Sequence, residues 1–298
     1  MTRQTNCLIY PLETCHGISI IRESRMELHQ RADQIRRDII KISYKTGAGH
    51  LTSSLSCVEI LTALYFGGVM RYDSNNPNMP ERDKFILSKA HAAMGVYAVL
   101  ARAGFFPYDE LFTMCEKGSR LGGHPALDVP GIEHHTGALG HGLSVSVGFA
   151  LAAKVKNSDS RIFCLTGDGE LQEGSNWEAA LSVAHFKLTN IIWIIDYNHL
   201  QLGGTVEHIM DIALLREKIT AFGFTVSEAD GHNVYALADL MNNKTSDRPI
   251  AIIANTIKGK GIPLIENSPN WHGRKPGKQE WEAILHQIKL THDDIAGA

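Results

Sequence analysis

The chain has 298 residues, 44% of them hydrophobic and 20% charged, which is enough to bury the core of one large α/β domain. With a formal net charge of −3, and no apolar run near the roughly 18 residues of a spanning helix, nothing points to nucleic acid or a membrane as a partner. The five cysteines (Cys7, Cys15, Cys57, Cys115 and Cys164) lack CxxC spacing, which argues against a zinc site or a disulfide framework and for reduced thiols in the cytoplasm.

Residues 1–25 fit poorly with the rest of the chain. They carry the patch Ile18-Ser19-Ile20-Ile21 but no charged segment leading into a long apolar core, so a signal peptide is not expected. They read as a loosely attached arm, or as sequence upstream of a natural start at Met26. Residues 26–298 read as one domain. From Met26 to Tyr44, Ile35, Ile39, Ile40 and Ile42 recur at near-helical spacing, and Thr46-Gly47-Ala48-Gly49 is a stop signal. Gly49-His50-Leu51-Thr52-Ser53-Ser54 reads as a loop with a capping serine before an amphipathic helix, Val58 to Phe66. A polar loop, Tyr72 to Arg82, leads to a first strand, Asp83 to Ser88. His91 follows that strand, ahead of a helix from Met94 to Ala103, where an imidazole is well placed to donate to a phosphate.

A short helix, Asp109 to Lys117, precedes the turn Gly122-Gly123-His124-Pro125, whose proline fixes the backbone beside His124. His134 and His135 read as loop surface. Thr136-Gly137-Ala138-Leu139-Gly140-His141-Gly142-Leu143 then opens a long small-residue helix ending near Val155. Its glycines permit close approach of the backbone, and Leu139, an apolar residue in a glycine loop, suits contact with an aromatic heterocycle.

The next stretch carries the most specific signal. Arg161 to Thr166 and Ile191 to Ile195 are short, apolar, unbroken runs that suit strands covered on both faces, with a helix from about Asn176 to Phe186 between them. That order makes a right-handed crossover with both strand ends on one edge, where open α/β sheets bind ligands. One run ends in Gly167-Asp168-Gly169, the other in Asp196-Tyr197-Asn198. Asp168 offers a carboxylate, Asn198 an amide oxygen thirty positions later, and Leu200 a carbonyl. Few protein oxygens beside a bound phosphate is how magnesium is usually held. Gly167 and Gly169 would let the backbone approach a diphosphate.

Downstream, Glu207 to Gly223 is expected to be a helical connection and Phe224 to Glu228 a strand. Asp230-Gly231-His232-Asn233 caps a helix from Val234 to Met241, with His232 structural. Pro249 to Ile257 is the last strong strand. Lys258-Gly259-Lys260-Gly261 lacks the spacing of a phosphate loop. Asn270-Trp271-His272-Gly273 and a helix from Glu280 to Ile288 follow. The expected fold class is α/β, a doubly wound, mostly parallel sheet with helices on both faces.

Gly-Asp-Gly, about thirty residues and then Asn after a buried strand resembles the thiamine-diphosphate signature, and the chain from about Met26 resembles the N-terminal half of transketolase. The resemblance implies thiamine diphosphate with Mg2+ (or Ca2+ or Mn2+) as cofactors, the metal held by Asp168, Asn198 and the Leu200 carbonyl. It implies that His50 reaches the cofactor and the donor sugar, and that His91, in Ser-x-x-His, meets the diphosphate. His124 would face the carbonyl end of the donor ketose, and His272 would close over diphosphate and donor. Gly137, Ala138 and Leu139 would pack on the cofactor's rings, with Gly167 and Gly169 beside its diphosphate. The sequence departs from the family pattern at Ala126, where an acidic residue often follows the proline. It departs again at Ala138 and His141, where Gly-Pro-Leu-Gly-Gln-Gly is common, so substrate contacts are expected to differ.

The implied activity is transfer of a two-carbon ketol unit from a ketose to an aldose phosphate, with pentose phosphates as the default. The family's glutamate that starts cofactor deprotonation lies in a second, pyrimidine-binding domain with no counterpart here. A split enzyme is therefore expected, completed by a separate C-terminal subunit in an α2β2 assembly. The runners-up are a 1-deoxyxylulose-5-phosphate-synthase-like enzyme, a dehydrogenase α chain, and a non-catalytic magnesium-diphosphate-binding module. Ser88-Lys89-Ala90-His91 and Trp271-His272-Gly273 favour transketolase over the synthase, and four histidines are more than a binding module needs.

Overall fold

Every strand of the main sheet runs parallel, which leaves all their carboxyl ends on one edge. The computed structural model describes residues 22–243, 247–291 and 294–295; Cys7, Cys15 and the Ile18–Ile21 patch of the expected arm lie outside them. In chain order the helices are α1 (Arg25–Thr46), α2 (Leu51–Ser56), α3 (Val58–Phe66), α4 (Ala93–Arg102), α5 (Gly142–Val155), α6 (Gly174–His185), α7 (Val206–Met210), α8 (Leu215–Ala221), α9 (Val234–Met241) and α10 (Lys278–Gln287). The strands are β1 (Lys84–Leu87), β2 (Ile162–Gly167), β3 (Ile191–Tyr197), the two-residue pair β4 (Leu200–Gln201) and β5 (Gly204–Thr205), β6 (Thr225–Asp230) and β7 (Ile250–Asn255). The main sheet has the order β1-β2-β3-β7-β6.

The sheet is sandwiched because its central strands are apolar on both faces. Phe163, Leu165, Ile192 and Ile194 enter a core shared with α1, α3, α4 and α9. Their neighbours Ile162, Cys164, Ile191, Trp193 and Ile195 enter a second core with α5, α6 and α8. This is the period-two alternation of a strand, with both faces buried. The register sets Cys164 beside Trp193 and Gly167 beside Asp196, so the glycine turn and the second strand's acid end level.

Helix α1 starts where Ser24 and Glu27 form a capping box and stops at Gly47, whose φ of 63° suits glycine. Among the described residues no helix is long and apolar enough to cross a membrane. Cys57 and Cys164 are buried free thiols, and Cys115 is an exposed one.

Three expectations need correction. Leu51–Ser56 is a helix, not a loop with a capping serine; His50 holds the N-cap position at φ 61° without a side-chain cap. Thr52, Ser53 and Ser54 are buried inside that helix, so tertiary packing overrides the turn preference of serine. The expected helix over 109–117 is only a 3-10 segment, Tyr108–Thr113. The connection from 207 to 223 is two short helices, α7 and α8, interrupted where Leu214 takes a φ of 58°.

Candidate active site

The carboxyl ends of β1, β2, β3 and β7 each deliver polar side chains to the same edge. Loops carrying Leu139 and His272 close over them. Between them lies a cavity of about 300 Å3 whose lining includes Lys89, His91, Leu139, Asp168, Asn198, Leu200, Lys258 and His272.

Asp168 is 2% exposed. Its carboxylate accepts from the Gly169 N–H at 2.7 Å and from the His199 N–H. Burial first, and then the nearby Asp196 carboxylate, push its pKa up to about 6. A carboxylate whose charge is opposed in this way favours a cation beside it. Asn198 Oδ1 accepts from the Leu200 N–H at 3.1 Å. Gln201 Oε1, next to these groups, is buried without a partner among the described residues. One carboxylate, one amide oxygen and one carbonyl around a single cavity form a hard-oxygen set that fits magnesium or calcium. Among the described residues no cluster of three or more His, Cys, Asp or Glu could hold a metal ion.

His50, His91 and His272 form a triangle, with ring centroids 5.4, 5.5 and 5.3 Å apart. Burial is the leading cause that lowers all three pKa values: His50 falls, His91 falls well below the usual range, and His272 falls to about 3. Lys258 adds to the effect at His272, its Nζ lying 2.9 Å from His272 Nδ1. At neutral pH the rings are therefore uncharged, and each carries one N–H. His50 Nδ1 is buried with no hydrogen-bond partner among the described residues. His124 makes no ring contact with this triangle; it is exposed beside Gly137 and close enough to His50 to help lower that residue's pKa. Gly137 and Ala138 are exposed and Leu139 is 39% exposed. His141 is exposed, with its ring 3.1 Å from the Leu139 carbonyl.

Four groups escaped the sequence analysis. Glu170, buried, ties the glycine loops together: it accepts from the Gly140 N–H at 2.8 Å, from the Gly167 N–H at 3.0 Å and from the Ser88 hydroxyl. Lys89 and Asp196 form a buried ion pair beneath the cavity. Lys258, whose pKa burial lowers to about 8, reaches the Leu200 carbonyl at 3.2 Å. The position of Lys258 straight after a strand, at the edge where ligands bind, was the available signal.

The loop that holds Leu139 depends on Gly140, which takes a φ of 84° and packs so closely on Glu173 that a Cβ would sit 2.5 Å from that side chain. We expect Gly140→Ala to destabilise the protein by about 1–3 kcal/mol, through strain and overpacking, and to weaken cofactor binding. Urea unfolding and a cofactor titration check this; a fully stable variant with parental affinity would show that the loop tolerates displacement.

Fold and site together define a doubly wound α/β domain with a hard-oxygen site facing lysine and histidine across a small cavity. The family model for the transketolase, thiamine diphosphate binding domain matches residues 28–294, and the chain belongs to that family. It is 46% identical over 266 residues to one of the subunits of apulose-4-phosphate transketolase from Actinobacillus succinogenes, covering 88% of this chain and 96% of that one. It is 36% identical over 270 residues to the 6-deoxy-6-sulfo-D-fructose transketolase subunit SqwG of a Clostridium species, covering 90% and 98%. The crystal structure of transketolase from Campylobacter jejuni superposes with a TM-score of 0.83 at 29% identity, covering 90% of this chain but 43% of that one. The chain thus spans nearly all of the separate subunits and less than half of that single-chain enzyme.

Proposed function

We propose that this chain is the diphosphate-binding subunit of a two-chain transketolase, which moves a two-carbon ketol unit from a ketose to an aldose phosphate. One observation carries the proposal: the Asp168, Asn198 and Leu200 oxygens share one cavity with Lys258, His91 and His272. Thiamine diphosphate, when bound, supplies the electron sink for the two-carbon unit. Asp168, Asn198 and the Leu200 carbonyl hold its divalent ion, magnesium by preference. Lys258 and His91 offset the diphosphate's charge, and Gly167 and Gly169 keep side chains out of its way. Leu139, with Gly137 and Ala138, covers the ring system and excludes water.

His50, His124 and His272 meet the sugar. Because His272 Nδ1 faces the Lys258 ammonium at 2.9 Å, that nitrogen accepts and the proton sits on Nε2. Through that N–H, His272 can then donate a hydrogen bond to a sugar oxygen and stabilise the charge that develops there. A separate C-terminal subunit supplies a pyrimidine-binding domain and its glutamate, in an α2β2 assembly in the cytoplasm. The relatives' substrates, apulose 4-phosphate and a sulfonated deoxyfructose, point to a sugar outside the common pentose phosphates. Ala126 and His141 are where such a preference would be built.

The test is ketol transfer with magnesium and thiamine diphosphate, by this chain alone and mixed with the product of the neighbouring reading frame. Activity in the mixture only is the expected result; silence in both favours a non-catalytic binding module. Within an active mixture, His272→Ala should lower kcat by about 100-fold or more while the melting temperature barely moves, because the residue is only half-buried and its N–H meets the developing charge on the sugar. A sharp fall in melting temperature with full activity per folded molecule would remove His272 from the chemistry.

A further inference from the structure

Lys258 sits in a segment that is gripped at several points in succession. The Thr256 hydroxyl donates to Asp196. The Ile257 N–H donates to His232 Nε2 at 2.8 Å. The Gly259 N–H donates to the Thr52 carbonyl at 3.0 Å. The Lys260 carbonyl accepts from Arg36 at 2.7 Å. Two of these grips belong to one chain of side chains behind the segment. Arg36 pairs with Glu59 Oε1, and Glu59 Oε2 lies 2.9 Å from His232 Nδ1. Glu59 and His232 have side chains only 8% and 13% exposed.

The hydrogen bonds fix the tautomer of His232. Its Nε2 accepts a backbone N–H, so it carries no proton; Nδ1 carries the proton and donates to Glu59. The imidazole thus does two jobs, one at each nitrogen, and only one of them touches the Lys258 segment.

We propose that Arg36, Glu59 and His232 are positioning residues that hold the 257–260 backbone so that Lys258 Nζ stays in the cavity. His232 is thereby more than the turn residue that its sequence context suggests. Arg36 and His232 brace the segment from opposite sides of Glu59, a buried carboxylate on α3 that belongs to no strand edge. The chain of contacts ends at Lys258, which reaches Leu200 and His272. This rests on the role proposed above for Lys258 at the diphosphate.

The amide side chains separate the two jobs of His232. In His232→Gln the amide oxygen stands where Nε2 was and still accepts from Ile257. In His232→Asn the amide stands where Nδ1 was, and serves Glu59 alone. Two measurements decide. Hydrogen exchange at the Ile257 amide, on this chain, should speed up in His232→Ala and His232→Asn and stay slow in His232→Gln. Thiamine diphosphate affinity with magnesium, measured by tryptophan fluorescence on the two-chain enzyme, should fall about 10-fold or more in the first two, the range of outer-shell changes, and recover in His232→Gln.

In a Lys258→Met background, His232→Ala should change affinity less than about 2-fold, because both variants act through one group. Equal behaviour of the Gln and Asn variants, or a full additional loss in the Lys258→Met background, would overturn the relay. Unchanged affinity in Lys258→Met by itself would instead remove the diphosphate role of Lys258. Should His232→Ala unfold, the Gln and Asn pair still decides, since each keeps a polar amide at one of the two nitrogen positions.

Discussion

Asp168→Ala should abolish magnesium-dependent binding of thiamine diphosphate, with a loss well beyond the roughly 10- to 100-fold typical of outer-shell changes. Asp168 is the only carboxylate of the proposed metal set; without it, that set is left with an amide and a carbonyl oxygen, neither of them charged. The effect on the free protein runs the other way. A carboxyl whose pKa is raised to about 6 in the fold, against about 4 when unfolded, binds more protons folded than unfolded between those values. Its charge therefore costs stability above pH 6, and the cost vanishes as pH falls below about 4. Magnesium with thiamine diphosphate should raise the melting temperature of the parent at pH 7 and leave that of Asp168→Ala unmoved. An equal rise in both would remove Asp168 from the metal.

The strands that carry this site were legible because they leave little choice. Ile191 to Ile195 has no polar residue, and a short apolar run so rich in β-branched residues suits a strand covered on both faces. The ends of such strands in a parallel sheet must share an edge, so Asp168 and Asn198 could be brought together on paper. Leu51–Ser56 was not legible, since serine and threonine favour turns unless packing supplies another reason. Here it does: Ser56 donates to Asp196, Lys89 donates to the Ser53 carbonyl, and Thr52 donates to the Trp271 carbonyl. Small hydroxyl residues are what can fit between the sheet edge and the helices. Lys89 and Asp196 were missed for a related reason. They stand 107 positions apart in sequence, and no periodicity marks a pair made only by the fold.

That pair supports the largest stability effect. Asp196→Ala should destabilise the protein by about 3–5 kcal/mol, as expected when one partner of a buried ion pair is removed. The Lys89 side chain is 1% exposed and that of Asp196 0%. Burial alone would lower the pKa of Lys89 and raise that of Asp196. Their mutual attraction and hydrogen bonds reverse both, so Lys89 ends raised and Asp196 lowered. Asp196→Ala leaves the buried Lys89 ammonium without its carboxylate and takes the acceptor from the Ser56 and Thr256 hydroxyls. The expected fall in melting temperature is about 6–10 °C, at roughly 2 °C per kcal/mol for a chain of this length.

Lys89→Met with Asp196→Ala should recover most of that loss, because a buried pair replaced by apolar groups is often neutral. The same double variant should bind thiamine diphosphate poorly, since Lys89 lines the cavity and its charge is gone. Stability restored with affinity lost would mean that the pair is kept for the site it underlies rather than for the fold. If the double variant is no more stable than Asp196→Ala, the unpaired Lys89 is not the source of the loss. If it binds the cofactor with parental affinity, the charge of Lys89 has no part in holding the diphosphate.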